Sequence, residues 1–271
     1  MMKDLRVGLT LPSFVEDPDI ALRVAVAAES AELDAVFAYE HLFRVGRDGE
    51  TRRPALDCWS LLGAVAAETR TIGVGSLTAR ASLRPPEMLA HASQTVDRVS
   101  GGRMLAVIGA GDGESRVENE EFGVGFGSLD ERLAELADAL DAARRAGVRT
   151  WVGGTHRKLL GLAERADGWN RWAGTPAQFA RDAEVVRDVN PCAARTWGGL
   201  FVLDATDELA GAKAERLGAS SEVIIGSLAT AANRVRPYLD AGATWVIVAP
   251  VDSSEAANAD LAAELRASLV A

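Results

Sequence analysis

Short apolar runs alternate with amphipathic stretches along the whole chain. The apolar run at residues 5–11 is stopped by Pro12, and residues 18–31 then place apolar side chains at helical spacing. The same alternation predicts eight strands, at residues 5–11, 35–38, 71–76, 104–108, 151–152, 169, 198–203 and 244–249. It predicts helices at residues 18–31, 58–69, 86–99, 129–146, 156–165, 176–187, 207–217, 229–241 and 254–269.

Strict alternation of strand and helix predicts an α/β protein with a parallel sheet, because each parallel strand must be followed by a crossover. Eight strand–helix units in 271 residues fit a closed (β/α)8 barrel of the TIM type better than an open sheet. A doubly wound open sheet stays as the alternative, since periodicity does not reveal closure. No linker, repeat or low-complexity tract divides residues 1–271, which predicts a single domain.

Two stretches lack apolar periodicity and are predicted to be loops. One is rich in Arg and Gly and covers residues 44–53, and the other is Gly-rich and acidic and covers residues 109–127. The helix at residues 129–146 is followed by Gly147, which signals a helix end, and then almost directly by the fifth strand.

Composition narrows the class of ligand and partner. The net charge of −10 argues against nucleic acid, which needs a basic surface. An anionic ligand would therefore need local positive charge or backbone amides. Cys58 and Cys192 stand far apart, and no run of about 18 apolar residues or secretory leader is evident. These features predict a cytoplasmic protein without disulfides or a membrane span.

His41 is the leading catalytic candidate because it directly follows the second strand, and a barrel places its active site at the carboxyl ends of its strands. An imidazole exchanges protons near neutral pH. The alternative is a histidine that only hydrogen-bonds a loop. His91 and His156 give no metal-ligand spacing with it, so no metal site is predicted.

Gly153, Gly154 and Thr155 follow the fifth strand and lead into a helix. Glycines allow close backbone approach, and the amino end of a helix presents free amides to an anion. This segment is therefore a candidate phosphate cradle, with an ordinary tight turn as the alternative.

The segment after the fourth strand, residues 109–113, is also glycine-rich but fails the GxGxxG pattern, so a Rossmann dinucleotide site is rejected. Asp112 and Glu114 are candidate proton donors here, with a solvated acidic loop as the alternative reading. Three tryptophans are candidates for the wall of an apolar pocket or for the core: Trp59, Trp169 and Trp172.

Eight motifs occur in the order in which a known family carries them. They lie at residues 35–43, 54–59, 68–75, 84–86, 97–103, 119–123, 151–154 and 166–170. With these motifs the sequence resembles the luciferase-like monooxygenase family, in particular its branch that depends on the deazaflavin coenzyme F420. The last third of the chain matches more loosely.

The resemblance implies that a tricyclic cofactor ring lies in the barrel mouth, with His41 beside it. It also implies a non-proline cis peptide between Leu77 and Thr78, supporting the ring. Two further cofactor contacts are implied: Asn119 with the ring or tail, and the backbone of residues 152–155 with the phosphate. The residues of that backbone segment are Val152, Gly153, Gly154 and Thr155.

Two departures from the family pattern stand out. Relatives usually carry an insertion before the fifth strand that helps to roof the site, and its shortening here predicts an unusually open pocket. Glu40 stands where the deazaflavin branch more often has Asp before its His. A Glu-His pair is found at this place in the flavin-dependent luciferase branch.

The function expected from these observations is hydride transfer between F420 and a small organic substrate. His41 would position the substrate or take its proton, and Glu114 would act as a secondary acid with Asp112 as its rival. One alternative is a two-component monooxygenase that uses reduced FMN, and another is a degenerate barrel that binds cofactor without catalysis. Relatives often dimerise through barrel helices, so a homodimer is one expectation for the assembly.

Overall fold

The computed structural model describes residues 5–45 and 51–270. The strands are β1 Arg6–Thr10, β2 Ala35–Ala38, β3 Phe43–Val45, β4 Arg52–Pro54, β5 Gly73–Arg80, β6 Met104–Gly109, β7 Arg149–Gly153, β8 Gly168–Trp172, β9 Ala194–Leu203, β10 Ile224–Gly226 and β11 Trp245–Pro250. The helices are α1 Asp19–Ser30, α2 Cys58–Glu68, α3 Pro86–Ser100, α4 Gly113–Glu121, α5 Leu129–Arg145, α6 Arg157–Gly161, α7 Pro176–Val189, α8 Asp207–Leu217, α9 Leu228–Asp240 and α10 Asn258–Val270.

Eight parallel strands close into a barrel, which confirms the predicted (β/α)8 fold and excludes the open sheet. Around the ring the order is β1, β2, β5, β6, β7, β8, β9 and β11, and β11 pairs again with β1. The short strand β10 pairs with β9 outside this ring and was missing from the sequence prediction. None of the helices in the described part of the chain is both long and apolar enough to cross a membrane.

Alternation along each strand divides the core into two layers. In β2, Ala35 and Phe37 point into the barrel, whereas the intervening apolar side chains pack against the helices. Phe37 is fully buried, and its ring fits because Gly8 on β1 and Gly75 on β5 leave room for it. A Cβ at Gly8 would lie 2.6 Å from the Phe37 ring, and one at Gly75 would lie 2.8 Å from it.

Both predicted loops contain regular structure. The loop predicted at residues 44–53 includes β3 and β4, which form an antiparallel hairpin, while residues 46–50 of that prediction lie outside the described residues. The prediction of a loop at residues 109–127 is wrong for Gly113–Glu121, which form helix α4. Asp112 caps this helix: its carboxylate accepts hydrogen bonds from the Ser115 backbone amide and from the Ser115 hydroxyl, each at 2.9 Å.

The shortened connection before the fifth barrel strand is confirmed. Helix α5 ends at Arg145, and β7 begins at Arg149. Gly147 lies between them with a φ of 77°, in the left-handed region that favours glycine at the end of a helix. The chain therefore turns back into the barrel without any insertion.

Candidate active site

Two cavities open at the carboxyl ends of the barrel strands. The first, here called the glycine-walled cavity, has a volume of about 590 Å³ and is lined around Leu77, Thr78, Gly109, Gly153 and Gly154. The second, here called the aromatic cavity, has a volume of about 640 Å³ and is lined around Phe14, Phe43, Leu200, Pro250 and Val251. The two cavities share four wall residues: Tyr39, His41, Glu114 and Trp172.

Backbone shapes the floor of the glycine-walled cavity. The peptide between Leu77 and Thr78 is cis, the geometry that the family resemblance implied. The Thr78 side chain lies between the glycines at the ends of β6 and β7. A Cβ at Gly153 would stand 2.3 Å from Thr78 Cγ2, and one at Gly109 would stand 3.0 Å from Thr78 Oγ1. The two glycines thus leave the space that the Thr78 side chain occupies.

His41 is held on the wall between the cavities by a buried carboxylate. Its Nδ1 lies 2.6 Å from Glu118 Oε1. The other oxygen, Oε2, accepts hydrogen bonds from the Leu42 backbone amide and from Arg80 Nη2, both at 2.7 Å. A carboxylate only accepts hydrogen bonds, so this network assigns a proton to Nδ1 and leaves Nε2 as an acceptor whenever the ring is neutral.

Glu118 is charged in this network. Burial alone would raise the pKa of its carboxyl, but the hydrogen bonds from His41 and the Leu42 amide and the charges of His41 and Arg80 hold that pKa below its usual range. Glu118 can thus orient His41 and stabilise a positive charge on it.

Arg80 holds this network in place through several hydrogen bonds. Its buried guanidinium donates to Glu118, to the Ser115 carbonyl oxygen at 3.2 Å and to Asn119 Oδ1 at 3.0 Å. It also donates to the Glu40 carbonyl oxygen at 2.9 Å. Because α4 supplies three of these partners, the arginine fixes the helix that carries Glu118.

Glu40, the residue that departs from the family pattern, makes several contacts through its buried carboxylate. The carboxylate accepts a hydrogen bond from Trp59 Nε1 at 2.7 Å and another from the Arg80 backbone amide at 2.6 Å. It also pairs with Arg84. The carboxylate thereby ties α2 and β5 to the end of β2, next to His41.

The two candidate acids occupy different environments. Glu114 is exposed and lines both cavities, within the first turn of α4. Asp112 lines only the glycine-walled cavity and caps α4. Burial would raise the pKa of Asp112, but the Ser115 amide and hydroxyl and the charge of His41 keep it below its usual range. Asp112 is therefore ionised near neutral pH, which disfavours it as a proton donor.

The remaining predicted residues divide between the cavity wall and the surrounding structure. Thr155 lines the glycine-walled cavity with Gly153 and Gly154. Asn119 and Val152 are fully buried and line neither cavity. The Asn119 amide contacts Arg80, Ser82 and the Gly125 carbonyl oxygen, and Val152 packs in the layer between strands and helices. Their contact with a cofactor stays a prediction.

The far end of the glycine-walled cavity offers backbone donors. The Gly154 amide donates to the Asn170 carbonyl oxygen at 3.1 Å and is therefore engaged. The amides of Thr155 and His156 donate to no other residue in the described part of the chain. These two amides are the groups available to an anion at this end.

Aromatic side chains form much of the shared wall and the second cavity. The Tyr39 ring lies edge-on to Trp172 at 6.0 Å, and burial raises the pKa of Tyr39 to about 12, so its hydroxyl stays protonated. The Phe14 ring lies 5.8 Å from the His41 ring. Of the three candidate tryptophans, Trp172 lines both cavities, whereas Trp59 and Trp169 are buried in the structure around them.

The protein is thus a parallel α/β barrel that carries two adjoining cavities of ligand size at the carboxyl ends of its strands. The sequence profile of the luciferase-like monooxygenase family matches residues 3–159, more than half of the chain. The chain therefore belongs to the luciferase-like monooxygenase family, whose members are oxidoreductases and monooxygenases. A search of curated proteins finds no sequence that matches it.

Solved structures share the fold at low sequence identity. An F420-dependent secondary alcohol dehydrogenase in complex with an F420–acetone adduct has a TM-score of 0.81 at 14% identity, over 98% of this chain and 99% of that chain. A riboflavin lyase with modified FMN and riboflavin has a TM-score of 0.82 at 14% identity, over 99% and 93%. EDTA monooxygenase from Chelativorans sp. BNC1 has a TM-score of 0.77 at 14% identity, over 98% and 94%. The fold is thus common to proteins solved with F420 and with FMN.

Proposed function

We propose that the protein is an oxidoreductase that transfers hydride between the deazaflavin coenzyme F420 and a small organic substrate. The observation that carries the proposal is the place of His41 on the wall between two cavities, with Nδ1 held by the buried carboxylate of Glu118. A cofactor and a substrate that react with each other must meet, and His41 lies where the two cavities meet.

The glycine-walled cavity fits a flat ring followed by an anionic tail. A Cβ at Gly109 or Gly153 would crowd the Thr78 side chain on its floor, and its far end offers the amides of Thr155 and His156. The residues that would hold the cofactor are Leu77, Thr78, Gly153, Gly154 and Thr155. When bound, F420 supplies a ring carbon that gives or accepts hydride as a two-electron carrier.

The chain's own part in the reaction is proton transfer and orientation. With the Nδ1 proton donated to Glu118, Nε2 of His41 can accept a proton from a substrate hydroxyl as hydride leaves the adjacent carbon. In the reverse direction the protonated ring returns that proton. Glu118 would stabilise the positive charge on His41 between these steps, and Glu114, exposed at the mouth, would be the secondary acid.

A second candidate is a two-component monooxygenase that uses reduced FMN and oxygen. Glu40 favours it, because Glu before His41 is the pair found in the flavin-dependent branch. The contacts of Glu40 are with Trp59, Arg80 and Arg84. The same cavity would then hold the FMN ring and phosphate, since its backbone donors would serve either phosphate.

Titration of the purified, cofactor-free protein with F420 and with FMN, each oxidised and reduced, tests the proposal. Absorbance and Trp fluorescence are followed, because Trp172 lies on the wall of both cavities. The expected result is F420 binding with a Kd of about 1 μM, or about −8 kcal/mol, and much weaker FMN binding.

Two results would replace the proposal. Preference for reduced FMN, with oxygen consumption coupled to product formation when a flavin reductase is present, would assign the monooxygenase function. Binding of neither cofactor would assign a degenerate barrel without catalysis.

A further inference from the structure

The aromatic cavity contains two polar groups for which the proposed hydride transfer has no use. Most of its wall is apolar, with side chains from β1, β2, β9 and β11 and the segments that follow them. Its polar residues include Ser13, just beyond β1, and Arg44, in the middle of β3. The other polar residues on this wall are Thr10, Tyr39, His41, Glu114, Glu118 and Ser253.

Ser13 presents a buried hydroxyl without a partner. The residue is 1% exposed, and its Oγ has no hydrogen bond to any other residue in the described ranges. Its position is fixed by the backbone, because the Leu56 amide donates to the Ser13 carbonyl oxygen at 2.8 Å. Buried polar atoms are nearly always hydrogen-bonded, so a hydroxyl of this kind on a cavity wall points to a ligand oxygen or nitrogen.

Arg44 presents a positive charge that no acidic side chain of residues 5–45 and 51–270 neutralises by an ion pair. Its guanidinium lies over the Phe14 ring, 5.8 Å from the ring centroid. Across the hairpin its direct partner in the register is Arg53, and like charges directly opposite one another in a sheet repel. Among the described residues of this hairpin, Arg44 and Arg53 thus carry two positive charges that face each other, and Arg44 lines the aromatic cavity.

Neither acidic residue of the same wall forms an ion pair with Arg44. Two carboxylates line the aromatic cavity, Glu114 and Glu118. Glu118 is engaged by His41 and by Arg80, whose buried guanidinium is 2.7 Å away. Glu114 is exposed to solvent and makes no ion pair with any other described residue.

Phe14 sets the spacing between the reacting group and the positive charge. The Phe14 ring centroid lies 5.8 Å from the centroid of the His41 ring and 5.8 Å from Cζ of the Arg44 guanidinium. The Phe14 ring therefore neighbours both groups, and the apolar body of a ligand that reaches both can pack against it favourably.

We propose that the aromatic cavity takes an organic carboxylate with an apolar body. The carboxylate pairs with Arg44, the body packs on Phe14, and the carbon that exchanges hydride lies beside His41. Ser13 hydrogen-bonds a second polar group, a hydroxyl or carbonyl, on the same molecule. The role of this molecule as substrate rests on the proposed hydride transfer, whereas its binding does not.

Three probes of one shape test the charge preference in the cofactor-free protein: 4-phenylbutyrate, 4-phenylbutanol and 4-phenylbutylamine. Binding is measured at low ionic strength by calorimetry and by Trp fluorescence. The carboxylate is expected to bind about fivefold more tightly than the alcohol, the gain typical of an exposed ion pair, and the amine is expected to bind most weakly. Added salt should reduce the difference.

Arg44→Gln is expected to abolish the preference, and Arg181→Gln is the matched control because Arg181 is an exposed residue of α7 outside both cavities. Equal affinities of the acid and the alcohol in the wild type would overturn the proposal. So would a preference that survives in Arg44→Gln.

The Ser13 contact is tested with 2-hydroxy-4-phenylbutyrate. In the wild type this probe should bind several-fold more tightly than 4-phenylbutyrate, and Ser13→Ala should remove the difference. A difference that persists would exclude Ser13 as the contact.

All these measurements are made without cofactor, so a protein that binds neither F420 nor FMN can still show the acid preference. If the protein exchanges hydride but shows no preference for the acid, the proposed substrate class is wrong and the proposed hydride transfer still stands.

Discussion

The two cavities at the barrel mouth are built by different means. Glycines at strand ends shape the floor of the glycine-walled cavity, where a Cβ at Gly153 would lie 2.3 Å from Thr78 Cγ2. Side chains shape the aromatic cavity, among them Phe14, Phe43 and Arg44. A glycine in so close a contact cannot gain a side chain without a clash, whereas a wall of side chains can be changed one residue at a time. The first is suited to one invariant ligand, and the second to a ligand that differs between proteins of the same fold.

His41 belongs to both walls, so its removal should have the largest effect on function. His41→Ala is expected to lower turnover by about 10²- to 10⁴-fold, because general acid–base transfer by a positioned side chain contributes on that order. Cofactor affinity should change little, since His41 is one of 20 residues that line the glycine-walled cavity. Steady-state kinetics and cofactor titration on the same preparation measure the two effects. Full turnover with cofactor bound would remove His41 from the mechanism.

Glu118→Gln should destabilise the protein, by about 3 kcal/mol at neutral pH, because it leaves the buried charge of Arg80 without its partner. The folded-state pKa of Glu118 lies below its usual range, so its contribution is present at higher pH and is lost as pH falls through that lowered pKa. The stability gap between wild type and variant should therefore be widest near neutral pH and narrow on acidification. Urea unfolding over a pH series measures it.

Glu121→Gln is the control for this variant, because Glu121 lies on the same helix with an exposed partner, Arg52, at 3.4 Å. Its effect should stay below about 1 kcal/mol. A gap for Glu118→Gln that widens in acid would contradict the assignment of Glu118 as the charged partner of His41.

The sequence allowed correct predictions where hydrophobic periodicity determines a strand or helix, or where a close backbone approach requires glycine. All eight barrel strands were predicted at least in part, because most of them are apolar runs that alternate with helices carrying an apolar stripe. The weakest case is β8, which contains Asn170 and Arg171 and was predicted only at Trp169. The glycines of the first cavity were predicted for a related reason. Close backbone approach requires glycine, so residues such as Gly153 and Gly154 are recognisable in sequence.

Helix α4 escaped prediction because its buried face is polar. Ser115, Glu118 and Asn119 follow the i, i+3, i+4 spacing of a helix, and all three are buried. A search for apolar periodicity does not register such a face, and so both the helix and the Glu118–His41 pair were missed. The capping pattern at Asp112 was the available signal.

The aromatic cavity was missed for a different reason: its wall is assembled from distant segments. Phe14, Arg44, Leu200 and Val251 come together only when the barrel closes. None of them stands in a motif, and each alone reads as an ordinary core or surface residue.

Adding one methyl group at a glycine of the glycine-walled cavity should weaken cofactor binding. Gly153→Ala is expected to weaken cofactor binding by about 10- to 100-fold, because overpacking of about 1–3 kcal/mol would displace the Thr78 side chain from the cavity floor. Gly63→Ala, in α2, is the matched control because a Cβ there meets nothing within 4 Å. Titration with F420 and FMN measures the effect, and unchanged affinity would place the cofactor elsewhere.

The smallest expected effect concerns the two acids at the mouth. Asp112→Ala should cost about 1 kcal/mol of stability, the usual value of a lost helix cap, whereas Asp112→Asn should cost little because asparagine also caps helices. Since the Asp112 carboxyl is held in its charged form, neither variant should lower turnover as much as Glu114→Gln. Thermal unfolding and steady-state kinetics on the three variants measure this. If Asp112→Asn lost more activity than Glu114→Gln while keeping its stability, the proton donor would be Asp112, and the acid would belong to the glycine-walled cavity alone.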